Sequence, residues 1–343
     1  MDVNSGSWLF REEPLEVIKT IFRRALGAET VREARLLDGG LFNTTYLVTY
    51  GAGEERAVLR LGPVERHRIM GFEQNLMAAE AYLYAVCRDI GIPCPEVLAW
   101  DTSRTAVDRD FMITRYIPSV AMVNAEMTEE RRHDLCFQLG AYLRRLHQVT
   151  GESFGFVSRV LEGRRFDTWS GAFLFEVEDI VGRLEAFGGL TAGEAGAVLA
   201  PFRRSRELLD QVRTPHLLHL DIWAGNVLLD RETLEILAVI DSDRAVFGDP
   251  DFEFAAPWME DPALRRGYGF PEINPGDRDR LERRRLYRAF YLALDAYVGL
   301  GEYNNQALYR DKKEELLELL DIGKMWRKAA ACPSWRAAAF RYA

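Results

Sequence analysis

Four cysteines in 343 residues, none of them in a CxxC pair, leave little material for a zinc knuckle or a disulfide frame. Cys87, Cys94, Cys136 and Cys332 are therefore expected to be reduced and structural. No apolar run approaches the roughly 20 residues of a membrane span, and residues 1–10 lack the basic stretch and apolar core of a leader. A cytoplasmic location and no membrane partner are the resulting expectations. Positive charge is also in deficit: 44 Lys and Arg face 53 Asp and Glu, a net charge of −9, so nucleic acid is not an expected partner. Internal repeats and low-complexity tracts are missing. The nearest approach is an Ala-rich end at 329–331 and 337–339, which reads as a short helix or a partly disordered tail.

What is present is ordinary globular composition, 48% hydrophobic and 11% aromatic, on a chain long enough for two packed units. Apolar residues at Leu15, Ile18, Ile21, Phe22 and Ala25 have helical spacing, with Gly27 placed as a stop. Short β-prone runs at 35–37, 45–49 and 56–61, separated by glycine pairs, predict an antiparallel meander, followed by a helix over 73–89 and strands at 97–100 and 111–116. From 128 onward helix dominates: 128–148, 169–187, 191–212, 277–299 and 309–328. One interruption stands out. The apolar runs 227–229 and 236–240 flank Asp230-Arg231-Glu232 and predict a small hairpin.

That hairpin carries the chemistry. His219-Leu220-Asp221-Ile222-Trp223-Ala224-Gly225-Asn226 forms a loop that enters its first strand, and the second strand ends at Asp241, fifteen residues beyond Asn226. Two carboxylates and a carboxamide are thereby expected to converge. The set suits phosphoryl transfer: Asn226 and Asp241 offer hard oxygen ligands for Mg²⁺, and Asp221 can orient an attacking hydroxyl and accept its proton. Taken alone, Asp221 could equally cap a turn while Asn226 satisfies backbone groups.

The HxDxxxxN stretch, Ile240-Asp241 and Gly248-Asp249-Pro250 together resemble the aminoglycoside phosphotransferase and choline kinase group of protein-kinase-like enzymes. Gly39-Gly40-Leu41-Phe42-Asn43 resembles that family's phosphate-covering turn, and Leu139-Gly140 through Leu146-His147 its first helix in the larger lobe. The resemblance spans roughly residues 33–300. It implies an α+β fold of two lobes, a small antiparallel-sheet lobe (1–116) and a larger helical lobe (117–343), with a hinge near 114–118 and the nucleotide between them.

By the same resemblance Asp221 is the catalytic base, Asn226 and Asp241 are metal ligands, and the phosphate donor, ATP or GTP, meets Gly40, Asn43 and the backbone of Arg115 to Ile117. The family's strand lysine falls at Arg60, a departure that keeps the charge and changes the geometry. Glu80 would be its helix partner; Leu76, Glu80, Leu83 and Cys87 share one face, so a buried Glu80 needs a cation. Glu253 stands where the family usually has Asp, read as a conservative structural change.

The acceptor is expected to be a hydroxylated small molecule, an antibiotic first and a sugar, choline or fructosamine-like metabolite second. Glu176, Glu178, Asp179, Glu253, Glu260 and Asp261 are candidate carboxylates for a cationic acceptor, with solvated helix faces as the plainer reading of most. His219 is expected to brace the loop and His147 to be a packed core residue. Two other readings stay open: a metal-dependent hydrolase built on His216, His219 and Asp221, and an inactive nucleotide-binding protein. A protein kinase lacks its Asp-Phe-Gly and Ala-Pro-Glu brackets here.

Overall fold

The computed structural model describes residues 7–37, 42–242, 244–270 and 274–322. Helix α1 (Leu15–Leu26) buries Ile18, Ile21 and Phe22 and ends at Gly27, whose φ of 65° is the left-handed conformation glycine adopts without a side-chain clash. Strands β1 (Val31–Leu36), β2 (Thr44–Tyr50), β3 (Glu55–Leu61), β4 (Val97–Asp101) and β5 (Phe111–Arg115) form one antiparallel sheet in the order β1-β2-β3-β5-β4. Strand β1 begins four residues before the expected run. It is an edge strand with a mostly exposed face, so Arg32 and Glu33 mask its β character in the sequence.

Helix α2 (Leu76–Asp89) joins the two halves of the molecule. Its Met77 and Tyr84 pack with Met112 of β5, while Ala79, Leu83 and Cys87 belong to the large core of the helical half. After β5 the chain leaves the sheet, and β6 (Val120–Ala121) pairs instead with the later hairpin.

The helical half follows with α3 (Glu129–Leu146), β7 (Gly155–Phe156), α4 (Val157–Leu161), α5 (Trp169–Ala186), α6 (Ala192–Arg204), α7 (Arg206–Leu209) and β8 (His216–Leu218). Then come β9 (Val227–Leu229), β10 (Ile236–Val239), β11 (Val246–Gly248), α8 (Pro250–Glu253), α9 (Pro262–Tyr268), α10 (Arg278–Tyr297) and α11 (Gln306–Leu319). The expected 191–212 helix breaks at Ser205, whose hydroxyl donates to the carbonyl of Pro201 at 3.0 Å and so competes with the helical ladder. Helix α9 lies directly on α3: a Cβ on Gly140 would come within 2.0 Å of the Leu264 carbonyl oxygen, so only glycine permits this approach. Trp169, Phe173, Phe252, Tyr287 and Phe290 fill the centre of the half. Two small sheets, β10-β9-β6 and β7-β11-β8, hold the segments between them. Among the described residues no helix is long and apolar enough to cross a membrane.

Candidate active site

The predicted hairpin forms as β9 paired with β10, and residues 219–226 connect β8 to β9. Leu217, Leu218, Val227 and Leu229 are fully buried on either side, which fixes both ends of the loop. Within it Leu220 takes a φ of 68°, a left-handed conformation costly for a branched side chain. Glu253 at the end of α8 holds it there. Its carboxylate accepts the His219 N–H at 2.8 Å and the Leu220 N–H at 2.9 Å, and His147 Nε2 lies 3.5 Å away. Burial alone would raise the pKa of Glu253, but His147, His219 and the loop amide outweigh it, and the carboxyl stays below its ordinary range. His219 Nδ1 accepts from the Asp221 N–H at 3.3 Å, and burial lowers its pKa, so it is a neutral brace.

Asn226 reaches back to the same loop, donating through Nδ2 to the Asp221 carbonyl at 3.0 Å and to Asp221 Oδ2 at 2.9 Å. This use of the amide nitrogen leaves its oxygen as the group able to ligate a cation. Burial pushes Asp221 up to about 7, against the downward pull of Arg244, with the nearby Asp241 charge adding to the rise. Asp241 follows β10 with a φ of 58°.

Arg60 connects the sheet to this loop. It pairs with Asp241 Oδ1 at 2.8 Å through one terminal nitrogen and with both carboxylate oxygens of Glu80 through the other. Glu80 is fully buried on α2 and also accepts from the Tyr84 hydroxyl; burial raises its pKa and Arg60 draws it back down. Five of the sequence candidates (Arg60, Glu80, Asp221, Asn226 and Asp241) are thus brought together by two neighbouring sets of contacts, Glu80–Arg60–Asp241 and Asp221–Asn226.

The others stand apart from that chain of contacts. Asn43 is buried at the start of β2, its Oδ1 without a hydrogen-bond partner among the described residues, and Gly40 lies outside the described residues. Arg115 closes β5, donating its N–H to the Glu96 carbonyl at 2.9 Å while its exposed guanidinium pairs with the Glu96 side chain. The Ile117 carbonyl accepts the Ser119 hydroxyl at 2.9 Å, where the chain crosses towards β6.

No group of three or more His, Cys, Asp or Glu able to hold a metal occurs among the described residues. Asn226 and Asp241 nevertheless fit Mg²⁺, which commonly takes one or two protein oxygens and completes its shell with phosphate and water. The hydrolase reading finds less: His216 Nδ1 is 2.6 Å from the His147 carbonyl, and His219 Nδ1 is engaged with the loop. Most proposed acceptor carboxylates are already occupied. Glu176 pairs with Arg159, Glu178 with Arg203 and Asp179 with Arg183, Asp261 caps α9, and Glu253 is the loop clamp.

One contributor escaped the sequence reading, and the part played by another was not legible in it. Arg244, bonded to Glu73 Oε1 at 3.3 Å, is the strongest charge holding Asp221 down; a cation three residues past Asp241 was the available signal. Glu253 is the other, since its two loop hydrogen bonds join residues over thirty positions apart. The Gly248-Asp249-Pro250 motif proves to be framework: Asp249 caps α8 and accepts the Tyr287 hydroxyl at 2.7 Å.

The family model of the phosphotransferase enzyme family matches residues 33–290. The chain belongs to this family. It is an enzyme of kinase-like, phosphotransferase type, and its two-lobed fold is the protein-kinase-like one. Among curated relatives, a probable ketoamine kinase of Synechocystis sp. is 23% identical over 290 residues, covering 81% of this chain and 88% of that protein. Among solved structures, the GDP complex of aminoglycoside 2'-phosphotransferase-IIIa aligns over 91% of this chain and 100% of that one, at a TM-score of 0.59 and 15% identity. Spectinomycin phosphotransferase, solved with ADP and spectinomycin, aligns over 91% and 98% at 0.53 and 18%. At such identities the structural likeness of this phosphotransferase to its neighbours is one of fold.

Proposed function

We propose that this phosphotransferase moves the γ-phosphate of ATP or GTP to a hydroxyl of a small-molecule acceptor, with the nucleotide held between lobes that divide near residues 116 and 117. The observation that carries the reading is the continuous set of contacts from Glu80 through Arg60 to Asp241, next to the hydrogen-bonded Asp221 and Asn226. Asp221 is the base: with its pKa near neutrality it can orient the acceptor hydroxyl and take its proton. Arg60 supplies positive charge to the phosphates and is aimed by Glu80. By the family resemblance Gly40 and Asn43 meet the phosphates, and the backbone from Arg115 to Ile117 meets the nucleotide base. Asn226 and Asp241 would hold Mg²⁺, which offsets phosphate charge when bound. Most of the rate enhancement then comes from alignment and electrostatics.

An antibiotic acceptor, in a resistance or self-protection role, is the first reading from family resemblance. The curated relative described as a probable ketoamine kinase favours a second, a sugar-amine metabolite. The test is nucleoside-diphosphate release with Mg²⁺ and ATP or GTP across aminoglycosides, spectinomycin, ketoamines, simple sugars and choline, with Asp221→Ala as control. Acceptor-stimulated release by wild type and a loss of about 10²–10⁴-fold in Asp221→Ala are expected; equal turnover by the two proteins overturns the assignment of Asp221.

A further inference from the structure

A fully buried arginine sits at the end of the sheet that carries Arg60, and the chemistry above has no use for it. Arg109 lies in the loop just before β5 and is 0% exposed. Its Nε donates to the Gly62 carbonyl at 2.7 Å, one terminal nitrogen to the Arg11 carbonyl at 2.8 Å and Glu13 Oε1 at 3.2 Å, and the other to Thr44 Oγ1 at 2.8 Å and the Leu61 carbonyl at 3.2 Å. These five bonds use all five donors of a guanidinium. Three stretches of chain are gathered by them: Thr44 opens β2, Leu61 closes β3, and residues 11–13 belong to the segment before α1. Thr44 pairs with Leu61 and Thr45 with Arg60, so the clasp lies next to Arg60 on one strand and next to Asn43 on the other. Side chains alternate along a strand. Thr44 and Leu61 therefore face away from the side on which Arg60 meets Glu80 and Asp241.

The early segment also reaches the helical half. The fully buried Leu9 accepts the Val64 N–H at its carbonyl at 3.2 Å, and the Trp8 N–H donates to the Glu302 carbonyl at 3.0 Å. The Arg68 guanidinium stands 4.7 Å from the centre of the Trp8 ring and donates to the Gly301 carbonyl at 3.1 Å. Taking a cation out of water has a penalty that an apolar side chain in the same place would not have. What the arginine adds is fixed geometry at its neighbours. Resting on the phosphotransferase reading, we infer that Arg109 is a positioning residue for the nucleotide phosphates: it sets Arg60 and Asn43 from behind and, through residues 8–13, relates them to the half that carries Asp221 and Asp241. Being buried, it acts through those residues and touches no ligand.

The test uses Thr44→Val, which removes the hydroxyl that serves both Arg109 and the Arg11 carbonyl while keeping the side-chain shape, and Thr44→Ser, which restores it. Trp8→Ala loosens the far end of the segment at a position that is 45% exposed, so it reports even where Thr44→Val does not fold. Dissociation constants are measured with Mg²⁺ for ATP or GTP and for the matching nucleoside, adenosine or guanosine, at a temperature where thermal unfolding shows each protein folded. Thr44→Val is expected to weaken triphosphate binding about tenfold with nucleoside binding within about twofold, and Thr44→Ser to recover most of the loss. Trp8→Ala is expected to weaken triphosphate binding about threefold, the size of one exposed cation–π contact. Unchanged triphosphate affinity in Thr44→Val or in Trp8→Ala, or nucleoside binding weakened as much as triphosphate binding, overturns the inference and leaves the phosphotransferase reading standing. A wild type that binds neither ATP nor GTP overturns both.

Discussion

In the proposed reaction Asp221 accepts a proton near neutrality, which calls for a pKa in the working range, and burial, tempered by Arg244 and Asn226, brings it to about 7. The raised value fixes the sign of two pH effects. The base is competent only when ionised, so kcat/KM is expected to be full above about 7 and to fall as pH drops through that value, as a pH–rate profile would show. For stability, the folded form binds this proton more tightly than the unfolded chain. The favourable contribution is therefore present at acid pH and lost as pH rises towards about 7. Asp221→Asn should accordingly unfold at a higher temperature than wild type at pH 8 and at nearly the same temperature at pH 4; a lower midpoint at pH 8 would contradict this account.

Arg60 is the second residue whose chemistry is specific. One terminal nitrogen serves Glu80 and the other serves Asp241, a division that a single ammonium cannot reproduce. Arg60→Lys is expected to raise the nucleotide KM about tenfold, with a smaller loss in kcat, whereas Arg60→Ala leaves the fully buried Glu80 uncompensated and lowers stability by about 3 kcal/mol. Nucleotide titration and denaturant unfolding measure the two effects. Wild-type nucleotide KM in Arg60→Lys would mean that the bridging geometry is incidental.

At the scale of elements, the 219–226 loop depends on α8 as much as on its own strands. Leu220 holds a left-handed backbone because Glu253 accepts its N–H and that of His219. Glu253→Gln turns one of those acceptors into a donor facing an N–H. It should cost about 1–3 kcal/mol in denaturant unfolding and lower kcat with the nucleotide KM little changed. An unaltered unfolding midpoint would show that the clamp contributes little. The depressed pKa of Glu253 gives the sign of its pH dependence: its contribution is present above the ordinary carboxylate range and lost as pH falls through the folded-state value. The hairpin itself was readable because its apolar runs are short and bracketed by turn residues. Strands β6, β7, β8 and β11 were not, since two or three residues carry no periodicity of their own and become strands only through distant partners.

Across the whole molecule, α2 contributes to the core of the helical half and to a small cluster with Met112 of the sheet, so the placement of Glu80 is tied to the packing of both. A second tie runs along the chain's early residues. The Trp8 N–H donates to the Glu302 carbonyl at 3.0 Å, and the fully buried Arg109 donates to the carbonyls of Arg11, Leu61 and Gly62. A ligand that binds only the folded, assembled cleft stabilises the whole. Mg²⁺ with nucleotide at about 100 times its dissociation constant should add about 2.7 kcal/mol to wild type and clearly less to Asn226→Ala or Asp241→Ala, as thermal unfolding with and without ligand would reveal. Equal stabilisation of all three proteins would remove these two side chains from the metal site.

The sequence by itself determined the residues of the proposed chemistry. His219 to Asn226, Asp241 and the apolar runs around them are local patterns, written by short-range turn and strand preferences, and the cation at Arg60 with a carboxylate on an apolar helix face at Glu80 could be paired by charge alone. Tertiary structure decided what no local pattern encodes. Burial raised Asp221 towards neutrality, and Glu253 reached across from α8 to hold Leu220. Arg244 was brought within electrostatic reach of Asp221, and three of the supposed acceptor carboxylates, Glu176, Glu178 and Asp179, were matched to arginines. Each of these depends on which surfaces lose water and which distant groups become neighbours, quantities set by packing of the whole chain.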